Sequence, residues 1–222
     1  LAFGLGESLF KVIPPQRFPR DLMGTKIMLP TPETLGVAAT QNAALAFGVL
    51  GLCLAGSLGV VGGLARRQGS SPTRGGLAGA VLGLALGAGA PLGLLPLFIR
   101  AQEDHPEHDL ILSLLAHALI WGLLGASAGL AFAVGLGDRR QIGRVAVAGL
   151  AGAVLGAIVF ELIGGTFFGL AETAKPISAT WPTRLMARLL VTVGTAITMA
   201  VIVPSKTNGR GATQDIKIDP LP

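Results

Sequence analysis

Five separate stretches of this chain run for roughly 20 residues or more with almost no charged side chain, and this fixes the solvent in which it folds. About 20 helical residues cross a bilayer core about 30 Å thick, and the absence of water there forces each span to satisfy its own backbone hydrogen bonds. The stretches fall at 43–65, 76–99, 110–136, 145–171 and 185–204. The predicted fold is therefore all-α, a polytopic transmembrane bundle of about five spans. The fifth span is the shortest, opening with Arg184 and Arg188 and ending at Pro204. Only 13% of residues are charged, about half the share usual in soluble domains, which excludes an ordinary soluble enzyme. Glycine supplies 33 of 222 residues, but without the Gly-X-Y period of collagen.

The formal charge of +5 and pI near 10.1 would suggest nucleic acid in a soluble chain. Here the basic residues flank apolar spans, so the expected partner is the lipid bilayer and its head groups, with no nucleic acid. The first connection carries Arg66, Arg67 and Arg74, and the third carries Arg139, Arg140 and Arg144. The second carries Arg100 among four acids. The positive-inside bias then places the first and third connections in the cytoplasm, together with the polar tail 205–222 and its Lys206, Arg210 and Lys217. The region before Asn42 is expected outside. A start at Leu1 rather than Met suggests a removed or missing upstream segment, with Leu1 to Gly6 as its tail. Residues 1–42 read as an extended or interfacial segment, because Pro14, Pro15, Pro19, Pro30 and Pro32 interrupt residues 11–35. The single cysteine, Cys53, provides no disulfide framework.

The octapeptide Gly-Leu-Ala-Gly-Ala-Val-Leu-Gly occurs at 76–83 and again at 149–156, an offset of 73 residues that also superimposes Arg66-Arg67-Gln68 on Arg139-Arg140-Gln141. With one further residue of slip, Gly48 and Leu50-Gly51 match Gly122 and Leu124-Gly125. The unit is a helical hairpin, predicted twice in tandem at 43–100 and 110–173, with the helix at 184–204 outside the duplication. Gly75, Gly79, Gly83 and Gly87 recur every fourth residue, and Gly152 and Gly156 stand at the equivalent places in the second copy. Such spacing predicts helix packing through small-residue faces, since lipid already solvates apolar side chains and association must come from close approach.

Few residues carry chemistry. Glu161 lies near the middle of the fourth span, where an ionised acid costs about 2.5–3.5 kcal/mol on insertion scales, so it requires a partner or a proton. Counted inward from the external ends of their spans, His117 and Glu161 differ in depth by about 5 Å, close enough to meet. Arg188 enters from the same side, and Trp121 lies one turn beyond His117. These residues form a candidate intramembrane polar or transport site. Pro91 and Pro96 predict a kink in the second span. Between Glu103 and Asp109, His105 and His108 accompany four acids as weak metal-ligand candidates, at a spacing matching no established site.

Phosphate-loop, zinc-protease, paired-cysteine and nucleophile-elbow signatures are absent, and no cofactor is indicated. The leading expectation is a non-catalytic membrane protein, a structural or accessory subunit that packs with other membrane subunits or self-associates. The alternative is a small channel or secondary transporter working through Glu161 and His117. A metal-dependent membrane enzyme using the 103–109 loop ranks third. If hydrocarbon is the solvent, the chain stays with the membrane pellet after carbonate washing and ultracentrifugation; a folded, monodisperse species in the detergent-free supernatant refutes the prediction.

Overall fold

The computed structural model describes residues 2–9, 11–65, 71–104, 109–137, 139–167, 178 and 180–202. A short helix α1 (Ala2–Ser8) is followed by an antiparallel ribbon of β1 (Arg17–Leu22) and β2 (Thr25–Pro30). Five long helices follow: α2 (Pro32–Ala65), α3 (Ser71–Asp104), α4 (Asp109–Leu136), α5 (Ile142–Phe167) and α6 (Trp181–Ile202). All five are long and apolar enough to cross a membrane, which makes the chain a multi-pass α-helical membrane protein. Large aliphatic side chains, among them Leu77, Val81, Leu115, Leu155 and Ile197, face outward, as a hydrocarbon solvent permits.

The N-terminal region is more ordered than its prolines suggest. The ribbon turns at Met23 and Gly24, both with positive φ, as a tight two-residue hairpin requires. Helix α2 begins at Pro32, well before the apolar run at 43. Thr31 caps it: the Thr31 hydroxyl accepts from the Thr34 backbone N–H at 3.3 Å, and the Thr34 hydroxyl accepts from the Thr31 N–H at 3.0 Å. This reciprocal pair satisfies two otherwise unpaired donors, and Pro32 fills the first helical position, where its missing N–H costs nothing. Asn42 then ties the preceding chain to the helix, accepting from the Ile13 N–H at 2.9 Å and donating to the Ile13 carbonyl at 2.8 Å. The expectation of an extended segment through residue 42 is corrected accordingly. At the other end of the bundle Gly137, at φ 65°, terminates α4 by donating to the carbonyls of Ala133 and Val134.

Helices α2 and α3 form the tightest pair. Gly87, Gly83, Gly79 and Gly75 of α3 lie in turn against the carbonyls of Phe47, Gly51, Ala55 and Gly59 of α2, so each four-residue step along one helix is answered by four residues back along the other. A β-carbon at any of these glycines would collide with backbone. Helix α4, the most buried span, closes onto both, and Gly135 reaches Gly59 and Gly75. One core cluster gathers Phe47, Leu50, Leu95, Ile120, Trp121, Leu124, Phe160 and Val191. Helix α3 remains continuous through Pro91 and Pro96.

The second hairpin is paired differently. Gly125, which aligns with Gly51, would meet Gly156 if the copies were superposable; it meets Gly149, seven residues and two turns nearer the start of α5. Gly152 and Gly156 consequently face α6 instead of α4. Gly152 abuts Gly194 and Thr198, and Gly156 abuts Leu190 and Val191. The Thr198 hydroxyl donates across this seam to the Ala148 carbonyl at 2.8 Å.

The seam implies a sharp contrast between glycines. Gly83→Val is expected to lower stability by about 1–3 kcal/mol through overpacking against the Gly51 carbonyl. Gly89→Ala, with open space around it, is expected to raise stability by up to about 1 kcal/mol through the better helix former. Equilibrium unfolding in mixed micelles measures both, and equal effects would refute the seam.

Candidate functional site

The chemistry-bearing side chains collect at the end of the bundle where α2, α4 and α6 begin and α3 and α5 end. Helix α4 supplies His117, which is buried, and α5 supplies Glu161, whose side chain is 15% exposed. Their Nδ1 and Oε1 atoms are in direct contact. An imidazole and a carboxyl that share one proton carry no net charge in either arrangement, which removes most of the penalty for placing them inside a span. The Phe160 ring stands edge-on to the His117 ring with centroids 6.5 Å apart, and Trp121 packs edge-on to Phe47 at 5.0 Å. The Phe160 ring thus flanks the imidazole on one side.

Arg184 and Arg188 enter on the first turns of α6. Thr180 and Thr183 hold that helix start through hydroxyls 2.9 Å apart, with the Thr183 hydroxyl donating back to the Thr180 carbonyl. Arg184 is buried and binds Glu7 of α1 with a fork: Nε donates to Oε1 at 2.9 Å and Nη2 donates to Oε2 at 2.6 Å. Its Nη1 donates to the Ser178 carbonyl at 2.8 Å. Arg188 Nη2 lies 3.7 Å from Glu7 Oε1. Gly6 makes room for it, since a β-carbon there would stand 2.8 Å from the Arg188 guanidinium. The hydrogen bonds from Arg184 hold the Glu7 carboxyl below the usual carboxylate range; burial opposes this, and the charges of Arg184 and Arg188 reinforce it.

Between the two groups lies a cavity of about 30 Å³, lined by His117, Trp121, Phe160, Ser178, Arg184 and Arg188 among others. That volume admits one or two waters and no organic solute. The predicted residues His117 and Arg188 thus share one cavity. Glu161 contacts His117, whereas the ion-pair partner of Arg188 is Glu7. The six predicted packing glycines all lie inside the chain's own bundle, with Gly152 and Gly156 on α6. His105 and His108, the weak metal candidates, fall outside the described residues, as do Arg66, Arg67 and the tail from 203 onward. Among the described residues no group of three metal-ligating side chains occurs.

Sequence reasoning assigned no site role to Glu7, Ser178 or Arg184. Glu7 and Arg184 are 177 residues apart, and no periodicity links an acid in a short helix to a distant arginine. Gly6, the last residue of the stretch read as the tail of a removed segment, and Glu7, which follows it, pack into the cluster. Asn42, one isolated amide at the edge of an apolar run, was the available signal for the tether to Ile13.

Fold and cluster together define a multi-pass helical membrane protein with a small cavity beside a cluster of polar side chains. No known protein family, curated protein or solved structure matches the chain.

The Glu7–Arg184 pair gives a pH dependence whose sign follows from the lowered carboxyl. Its contribution is complete above the unfolded-state pKa of about 4.3 and is lost as pH falls through the lower folded-state value. Thermal unfolding in detergent should show this acid loss in the wild type and a weaker one in Glu7→Gln. At neutral pH Glu7→Gln is expected to cost about 3 kcal/mol, because the Arg184 charge is left buried without its counter-ion. An unchanged midpoint at pH 7 would show the pair to be inconsequential.

Proposed function

We propose that the chain is a non-catalytic integral membrane protein, a structural or accessory subunit that associates with other membrane subunits or with further copies of itself. The observation that carries this reading is the size of the polar cavity: about 30 Å³, walled by aromatic rings and by charges already engaged with one another. Such a cluster joins helices and leaves no berth for a solute. The contact surface we assign is the outward ridge of α6, where Leu189, Val193, Ile197 and Val201 recur every fourth residue and are all more than half exposed. A second span presenting its own four-residue ridge would interlock with it. In this reading the connections bearing Arg66-Arg67 and Arg139-Arg140 face the cytoplasm, and the Glu7–Arg184 end faces outward.

One observation favours a second reading, a small channel or secondary transporter. The contact of His117 with Glu161 inside the spans is chemically suited to passing a proton. A metal-dependent enzyme has no comparable support among the described residues.

Two measurements separate these readings. In mild detergent the wild type is expected to run as a complex larger than one chain, and Val193→Trp with Ile197→Trp to release a folded monomer. In proteoliposomes no proton or solute flux is expected. A monomeric wild type with a flux that Glu161→Gln abolishes while the fold is retained would overturn the structural reading.

A further inference from the structure

A larger recess lies apart from the cluster, between the first turns of α2 and the last turns of α3. It encloses about 560 Å³, within the range of small-molecule sites. Its origin is a change in helix separation. Along most of the α2–α3 seam, backbone touches backbone. At the outer end a β-carbon on Gly36 would stand 3.4 Å from the Ile99 Cδ1, an ordinary side-chain contact, with no α3 backbone within reach. Pro91 and Pro96 lie on α3 between the tight stretch and the loose one, each lacking the donor that would continue the helix ladder.

The rim of this recess is charged, and its deeper lining combines apolar side chains with the polar Thr40 and Gln41. Glu33 of α2 faces Arg100 and Glu103 of α3 across the opening, and Val37, Leu92 and Pro96 lie beneath. None of the three charged side chains takes part in an ion pair among the described residues. Both helices have 34 residues, about 51 Å at 1.5 Å per residue, and so overrun a hydrocarbon core of about 30 Å. The rim belongs to the overrun, at head-group depth, while Leu92 and Pro96 belong to the span. Below it on the same side of α3, Gly93 and Gly89 are exposed, with no neighbouring atom within 4 Å of a would-be β-carbon. A shallow open track therefore runs from a charged rim into the bilayer.

We propose that this recess binds one phospholipid whose head group carries both a phosphate and a protonated amine. The phosphate sits on Arg100, the ammonium lies between Glu33 and Glu103, and one acyl chain follows the track past Gly93 and Gly89. Charge complementarity selects this occupant. A purely anionic head group would meet two carboxylates against one guanidinium, and a free cation would leave Arg100 and the apolar side chains of the lining unused.

Native mass spectrometry of the full chain in mild detergent tests this with phosphatidylethanolamine, phosphatidylglycerol of the same acyl chains, and the deacylated compound glycerophosphoethanolamine. One phosphatidylethanolamine should be retained about tenfold more tightly than phosphatidylglycerol. Arg100→Gln should weaken its retention about tenfold, and the double variant Glu33→Gln, Glu103→Gln should erase the preference between the lipids. Gly93→Leu, which fills the track, should lower retention of both lipids while leaving the preference intact. The deacylated compound should fail to displace the lipid, which distinguishes a membrane lipid from a soluble phosphate. Unchanged elution volume and thermal midpoint without lipid establish that each variant is folded. Equal retention of the two lipids by the wild type, full retention by folded Arg100→Gln, displacement by the deacylated compound, or a lipid-free dimer occupying the recess would each overturn the proposal.

Discussion

Hydrocarbon gives two helices no reason to associate through apolar side chains, because a lipid tail solvates leucine as well as a neighbouring helix does. What remains is close contact, and this protein achieves it by bringing backbone against backbone. The run of Gly75, Gly79, Gly83 and Gly87 against the carbonyls from Phe47 to Gly59 removes the side-chain layer that would otherwise separate α2 from α3. Dispersion between two main chains then acts over about four turns. The cost is rigidity of register: a shift by one residue would drive side chains into the partner backbone, so the seam specifies alignment as well as affinity.

The polar cluster depends on this packing at one remove. Arg184 and Arg188 are positioned by α6, and α6 is positioned by the small residues Gly152, Gly156 and Gly194 and by the Thr198 hydroxyl on the Ala148 carbonyl. Glu7 and the short helix that bears it are then held from α6, while Asn42 holds the following chain from α2. The N-terminal region is thus anchored by a charged tie at Glu7 and by neutral ties at Ile13 and Gln16, the last accepting from the Thr34 hydroxyl. Two charges at the edge of a membrane domain are stabilising here because each meets a geometrically matched partner; either one alone would be a liability.

Much of this was legible from residue order. Five apolar runs define five spans because the bilayer imposes one length scale on every crossing, and the four-residue glycine period identifies the packing face of α3. The depths of His117 and Glu161 sufficed to anticipate their contact, since helix rise converts sequence position into depth. What escaped was governed by other physics. The start of α2 at Pro32 is set by hydroxyl capping at Thr31 and Thr34, to which an apolar-run criterion is blind. The fork between Arg184 and Glu7 joins distant positions with no pattern connecting them. Gly152 and Gly156 were correctly read as small-residue contacts, but which helix they touch depends on pairing register, and identical octapeptides are compatible with either register.

That last point shows how a repeated sequence can yield unequal halves. On the alignment, His117 and Glu161 stand where the first hairpin has Ala43 and Ala88. Two alanines permit the close seam of α2 and α3 to continue outward, whereas an imidazole and a carboxyl in contact with each other need room between their helices. The seven-residue displacement of Gly125 from Gly156 to Gly149 accompanies this difference and turns the glycines of α5 toward a helix that has no counterpart in the first copy. The spacing of the glycines alone therefore does not fix which helix each face meets; the facing side chains at other positions take part in that choice.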